Sequence, residues 1–205
     1  MARSPVLRTP RLSIEPFSDV RLSERYVSWL NDPEVVRFSE NRHRRHTIAS
    51  CREYAASFNG TPNYFWAIVA RDPEVGHIGN MNAYVSAEHA LADVGIVLGE
   101  RSIWGRGYGI EAWLAVCDFL LRTQALRKVS AGALSTNRAM LSIMRRTEMQ
   151  LDGVRVAHYL VEGNAGDLVH MALFHDAWVN RFPYGPFEAI HDCSPQAGRA
   201  AVDPP

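Results

Sequence analysis

The sequence predicts an α+β fold built on one mixed, twisted sheet, and three observations carry that reading. The 205 residues, 47% of them hydrophobic, suit one domain with a single core. Three apolar runs in the first half, separated by turn residues, read as an antiparallel meander. Beyond Gly99 strand and helix alternate, and strands bracketing helices in this order belong to a mixed sheet. The expectation is six to seven strands and about four helices, with residues 1–180 as the domain and 181–205 as a C-terminal extension.

Taken in order, Arg11–Glu15 alternates polar and apolar residues as a half-buried strand does. Asp19–Asn31 sets Leu22, Tyr26, Trp29 and Leu30 at helical spacing. Asp32-Pro33-Glu34 has the N-cap and N1 proline of a further short turn. Phe38–His46 is irregular. Thr47 caps a second helix whose stripe is Ile48, Cys51, Tyr54, Ala55 and Phe58. Residues 59–63 break the chain before the strand Tyr64–Ala70. Residues 72–76 turn it into His77–Val85, and a loop with Glu88 and His89 leads to Asp93–Leu98.

Ile110–Arg122 is a helix with Trp113, Leu114, Cys117, Leu120 and Leu121 on one nearly uncharged face. Glu111, in its first turn, is explained by the helix macrodipole. Val129–Leu134 is a strand, and Thr136 or Asn137 caps a helix reaching Arg146. Val154–Val161 and Leu168–Phe174 are strands around the turn at residues 162–166. Trp178, Phe182, Tyr184 and Phe187 predict a segment packed on the body, and Ser194–Pro205 a loose tail.

Twenty-two Lys and Arg balance twenty-two Asp and Glu. Nucleic-acid binding, which draws on a surplus of positive charge, is therefore not expected. Cys51, Cys117 and Cys193 are odd in number and far apart, which implies neither a disulfide framework nor a zinc or redox pair. The chain opens without an apolar signal region, and no apolar run approaches the ~18 residues of a membrane helix. A cytoplasmic protein with no membrane partner is the expectation, as monomer or homodimer.

The most informative stretch is Trp104-Gly105-Arg106-Gly107-Tyr108-Gly109-Ile110-Glu111, between a strand and a helix. Backbone N–H groups there are free to bind an anion, and glycine lets a phosphate approach closely. A Walker loop would need Gly-Lys-Ser/Thr after the glycines, where Tyr108-Gly109-Ile110 stands. A dinucleotide fingerprint would need G-x-G-x-x-G opening a parallel unit, whereas here an antiparallel meander precedes G-x-G-x-G. Neither fits.

The stretch resembles the acyl-CoA loop of the GNAT N-acetyltransferases, Gln/Arg-x-x-Gly-x-Gly/Ala, with Trp104 replacing the first residue. Other segments resemble the branch that holds ribosomal-protein, aminoglycoside and nucleotide-sugar acetyltransferases. These are Thr9-Pro10-Arg11-Leu12, Trp29-Leu30-Asn31-Asp32-Pro33-Glu34-Val35, His77-Ile78-Gly79, and Asn137 with Met144 seven residues on. The resemblance spans roughly residues 9 to 175 and implies the GNAT fold, in which the strand before the loop splays from its neighbour.

It also implies acetyl-CoA as co-substrate and no metal. Backbone of Ile96, Val97 and Leu98 would align the pantetheine arm, with an oxyanion donor near Leu98. Amides from Gly105 through Gly107, Tyr108 and Gly109 to Ile110 would hold the pyrophosphate, with Arg106 adding charge. Asn137 would bind the pantetheine region, although helix capping explains it equally. Met144 stands at the cofactor position where the family has a thiolate-protonating Tyr. A thioether donates no proton, so Tyr159 is another donor. Candidate bases are His89, Glu100 and Asp93.

The acceptor loop would be Arg37–His46. Phe38, Arg42 and Arg45 there suit an anionic small-molecule amine such as a nucleotide-linked amino sugar. A protein N-terminus or an aminoglycoside is the alternative acceptor, and a silent acyl-CoA-binding module the alternative class. His43-x-x-His46 lacks a third ligand for a metal. Trp66, Trp113 and Phe119 are expected in the core.

Overall fold

A computed structural model of the chain describes residues 4–187. Cys193 and the expected tail Ser194–Pro205 lie outside the described residues. The strands are β1 (Leu7–Arg8), β2 (Leu12–Pro16), β3 (Tyr64–Ala70), β4 (His77–Ser86), β5 (Leu91–Leu98), β6 (Lys128–Leu134), β7 (Gln150–Val161) and β8 (Asn164–Phe174). They form one sheet in the order β1-β2-β3-β4-β5-β6-β8-β7. The helices are α1 (Glu24–Asn31), α2 (Pro33–Val36), α3 (Ile48–Ala56), α4 (Tyr108–Asp118), α5 (Arg138–Arg146) and α6 (His175–Arg181).

The expected mixed sheet is present. The strand beyond expectation is β1, two residues that fold back so that Leu7 faces Ile14. Local capping sets several helix starts. Asp32 accepts from the Glu34 N–H at 2.9 Å, and Thr47 and Ser50 form a reciprocal capping box. Asn137 accepts from the Met140 N–H at 3.1 Å. The last turn is tighter than expected. Only Glu162 (φ 53°) and Gly163 (φ 81°) connect β7 to β8, both left-handed as a two-residue hairpin requires. The helix expected at 110–122 starts at Tyr108 and finishes in a π turn over Phe119–Thr123.

Adjacent residues of β3 divide the core between the two faces of the sheet. Trp66 stacks on Tyr64 at 5.0 Å and meets Phe119 edge-on. It lies in the main cluster with Trp113, Val116 and Leu120 of α4 and its π turn. Phe65 instead stacks on Phe17 and Phe58. On that side α1 and α3 supply a smaller cluster of Tyr26, Val27, Trp29, Leu30 and Cys51. Trp178, Phe182 and Phe187 pack on the body as expected, while Tyr184 stays exposed.

One feature of the sheet positions the site. β5 and β6 are parallel neighbours only through Leu91↔Lys128, Ala92↔Val129 and Asp93↔Ser130. Beyond that point β5 stays with β4 as far as Leu98, and β6 stays with β8 as far as Leu134. The strands therefore part into a wedge that opens toward their C-terminal ends.

Candidate active site

The glycine loop sits at the open end of this wedge, directly after β5. Gly105 and Gly107 have φ of +74° and +83°, conformations that disfavour a side chain. Among the described residues, its chain neighbours aside, nothing lies within 4 Å of where a Gly105 Cβ would be. Gly107 is the N-cap of α4, and no side chain among the described residues caps this helix. Its first hydrogen bond runs from the Glu111 N–H to the Gly107 C=O at 3.2 Å. The amides before it, up to Ile110, are the donors an α-helix leaves without internal partners. A Cβ on Gly109 would lie 3.0 Å from Leu98 and 3.3 Å from Ile143, so this glycine lets α4 seat against β5 and α5. Trp104, at the motif's first position, donates its indole N–H to the Leu98 C=O at 3.0 Å and ties the loop to the strand end.

One cavity opens beside the β6 edge of the wedge, and a second lies between α1, α2, the basic loop and the end of β7. The first, of about 250 Å³, brings Phe38, Glu40, Asn137 and Tyr159 together with Gly132 and Leu134 of β6. The other, of about 260 Å³, is lined by Arg37, Arg42, Arg44 and Arg45 over Leu30, Val36 and Val161, with Glu162 at its rim. The sheet supplies polar groups on the face turned toward α1 and α3. Asn80 lies opposite Val97, Asn82 opposite Gly95, Tyr84 opposite Asp93, and Asp93 opposite Ser130. Ser130 donates to Asp93 at 2.5 Å, where the strands part. His170 pairs across from Gly132, whose missing side chain leaves room for the imidazole at 3.3 Å. The buried His170 Nε2 has no partner among the described residues. Free amides, an unpaired strand edge and a polar floor together can hold an anion and an extended, partly polar ligand.

A family model described as the GNAT acetyltransferase domain matches residues 11–150. The chain belongs to the GNAT acetyltransferase family. It is an acyl-transferring enzyme. Among solved structures, a GNAT-family acetyltransferase from Bacillus anthracis superposes with a TM-score of 0.72 at 16% identity, covering 84% of this chain and 99% of that one. RimL, a ribosomal L7/L12 α-N-protein acetyltransferase in complex with coenzyme A, gives 0.74 at 13% identity, with 84% and 99% covered. Spermidine N-acetyltransferase from Vibrio cholerae, in complex with CoA and spermine, gives 0.71 at 12%, with 80% and 96% covered. No curated protein matches the chain at significant similarity.

In this GNAT enzyme several residues singled out from the sequence lie elsewhere than expected. His89 is exposed in the turn before β5, the closed end of the wedge. The length of β5, roughly 25 Å at the usual rise, separates it from the loop. Glu100 caps the turn Arg101–Ile103 and pairs with Arg25 at 2.5 Å. The Ser102 hydroxyl and then the Arg25 guanidinium hold its carboxyl below the usual range, which makes it a weak base. Met144 is fully buried in the main core, with no side-chain surface open to solvent. The basic loop is divided: Phe38 faces the first cavity and Arg42 and Arg45 the second. Arg42 is also tethered, donating to the Ser39 and Leu160 carbonyls and pairing with Glu40 at 3.0 Å.

Other residues of the site carried no sequence signal of their own. Glu111 lies only 7% exposed, so the face expected to be uncharged buries a carboxylate. It accepts from the Thr9 hydroxyl at 2.6 Å, the Arg11 N–H at 2.9 Å and the Arg11 Nε at 2.6 Å. The Thr9-Pro10-Arg11-Leu12 segment marked this spot, but its partner is a hundred residues away. Gly99 likewise has a tertiary reason: a Cβ there would fall 2.0 Å from the Trp29 ring.

Proposed function

We propose that this acetyltransferase uses acetyl-CoA to acetylate a primary amine on an anionic small molecule, a nucleotide-linked amino sugar being the acceptor class. The single observation that carries the acceptor reading is the four-arginine cavity adjoining the one that holds Phe38, Asn137 and Tyr159. Among the described residues Arg37 pairs with the exposed Glu162 at 3.7 Å and lies over the Phe38 ring. Arg44 and Arg45 make no ion pair among the described residues. Guanidinium groups so placed suit a diphosphate, and the apolar floor and Phe38 suit a ring. A polycationic acceptor would be repelled here.

Acetyl-CoA supplies the thioester carbonyl that the amine attacks. The Gly107–Ile110 amides take its diphosphate, with the exposed Arg106 beside them. The β5 edge from Ile96 to Leu98 aligns the pantetheine arm; the Leu98 carbonyl is already held by Trp104, so pairing falls on the residues before it. Asn137 uses its side-chain oxygen as a cap and keeps its amide N–H₂ for the same arm. A base acting through water takes the proton the amine must lose, and Tyr159, on the wall of the first cavity, donates one to the departing sulfur.

The test is free-thiol release from acetyl-CoA with UDP- or dTDP-linked amino sugars, an N-terminal ribosomal peptide, an aminoglycoside and spermidine. The amino sugar is expected to turn over fastest. Arg44→Glu with Arg45→Glu should raise its KM at least tenfold and leave the acetyl-CoA KM alone. Faster release with the peptide or a polycation would overturn the acceptor reading.

A further inference from the structure

Arg11 reaches the glycine loop from a different part of the chain, and its guanidinium meets a carboxylate, a carbonyl and an aromatic ring there. Nε and Nη2 each lie 2.6 Å from Oε2 of the buried Glu111. Nη1 donates to the Arg106 carbonyl at 2.8 Å. The plane sits over the Tyr108 ring, 4.4 Å from its centroid. Thr9, itself fully buried, braces the other carboxylate oxygen of Glu111. The loop is thus held on both sides of Gly107.

The geometry points to Arg11, backed by Glu111, as the residue that positions the phosphate-binding amides; this rests on the coenzyme reading above. In a trans peptide the C=O and the following N–H point in opposite directions. Fixing the Arg106 carbonyl on Arg11 therefore aims the Gly107 N–H the other way, into the space in front of α4. Stacking on Tyr108 fixes the next residue. Without these contacts two glycines with left-handed φ leave that peptide plane free to rotate, and the amides lose their common direction. Arg11 need not touch the coenzyme to do this, and lysine, which lacks the planar fork, cannot hold carboxylate, carbonyl and ring together.

The experiment compares wild type, Arg11→Lys, Arg11→Ala and Glu111→Gln. It measures CoA affinity by calorimetry, KM and kcat for acetyl-CoA, and turnover of S-acetylpantetheine, which lacks the diphosphate. The expected result is a rise of at least tenfold in CoA Kd and acetyl-CoA KM for both Arg11 variants, with kcat within twofold. Glu111→Gln should show a smaller rise, and S-acetylpantetheine should turn over equally in all forms. Thermal melting identifies any variant that fails to fold, and Arg11→Lys, which keeps the charge, carries the test if Arg11→Ala does. Equal losses on both thioesters, or a fall in kcat with KM unmoved, would overturn the proposal. Wild type that binds no CoA at all would instead sink the coenzyme reading itself.

Discussion

His77 is 9% exposed, with its ring 5.0 Å from that of Trp29 and 5.9 Å from that of Tyr26. Its Nε2 bonds the Gly79 carbonyl at 2.9 Å. Burial is the main cause that lowers its pKa from 6.5 to about 4; the Gly79 carbonyl opposes the shift, and Arg21 and Arg25 add to it. The sign follows from linkage. As pH falls below 6.5 the unfolded chain takes up a proton that the folded one refuses until about pH 4. Stability is complete above pH 6.5 and declines across that window, by about 3 kcal/mol. Urea titrations at pH 7.5 and 4.5 should show this loss. His77→Gln, which can still donate to Gly79, should remove most of it; an unchanged slope would mean that other groups carry the acid sensitivity.

At the level of elements, the end of β5 is a junction where α1, the loop and the strand meet on small residues. Trp29 lies flat where Gly99 has no side chain, and Trp104 bonds the carbonyl just before it. Trp29 is hemmed in by Tyr26 and His77 and has nowhere to retreat. Gly99→Ala should therefore cost about 1–3 kcal/mol by overpacking, a drop in Tm of roughly 2–10 °C for a chain of this size. Combining it with Trp29→Leu should cost clearly less than the sum of the two, because the second change vacates the clashing space. Additive melting shifts would rule that contact out.

Strands β3 to β6 and the caps Asp32 and Thr47 were legible in the sequence because their signals are local: periodicity, turn residues, a hydroxyl or carboxyl at the right offset; the last cap was narrowed to Thr136 or Asn137, and the structure has Asn137. The Glu111 anchor was invisible for the opposite reason. A carboxylate in a first helical turn looks solvated until its partners arrive from the N-terminal hairpin. His89 was misplaced because adjacency to a strand in sequence does not say which end of the strand holds the chemistry. The basic loop read as one patch, yet it folds into walls of two separate cavities.

At the scale of the whole molecule, the sheet is continuous only through the short parallel contact at Leu91–Asp93. Amide hydrogen exchange with saturating CoA should slow Val94–Leu98 and Gly107–Ile110 by more than it slows β2 to β4. Equal slowing everywhere would mean stabilisation of the fold with no local protection of strand edge and loop. The parting of β5 from β6 also ties fold stability to metabolic supply. A coenzyme lodged there, as proposed, would act as the missing plank between two leaves of the protein. At a hundredfold excess over its Kd, such a ligand would add about 2.7 kcal/mol, so the enzyme would be measurably softer wherever the coenzyme is scarce.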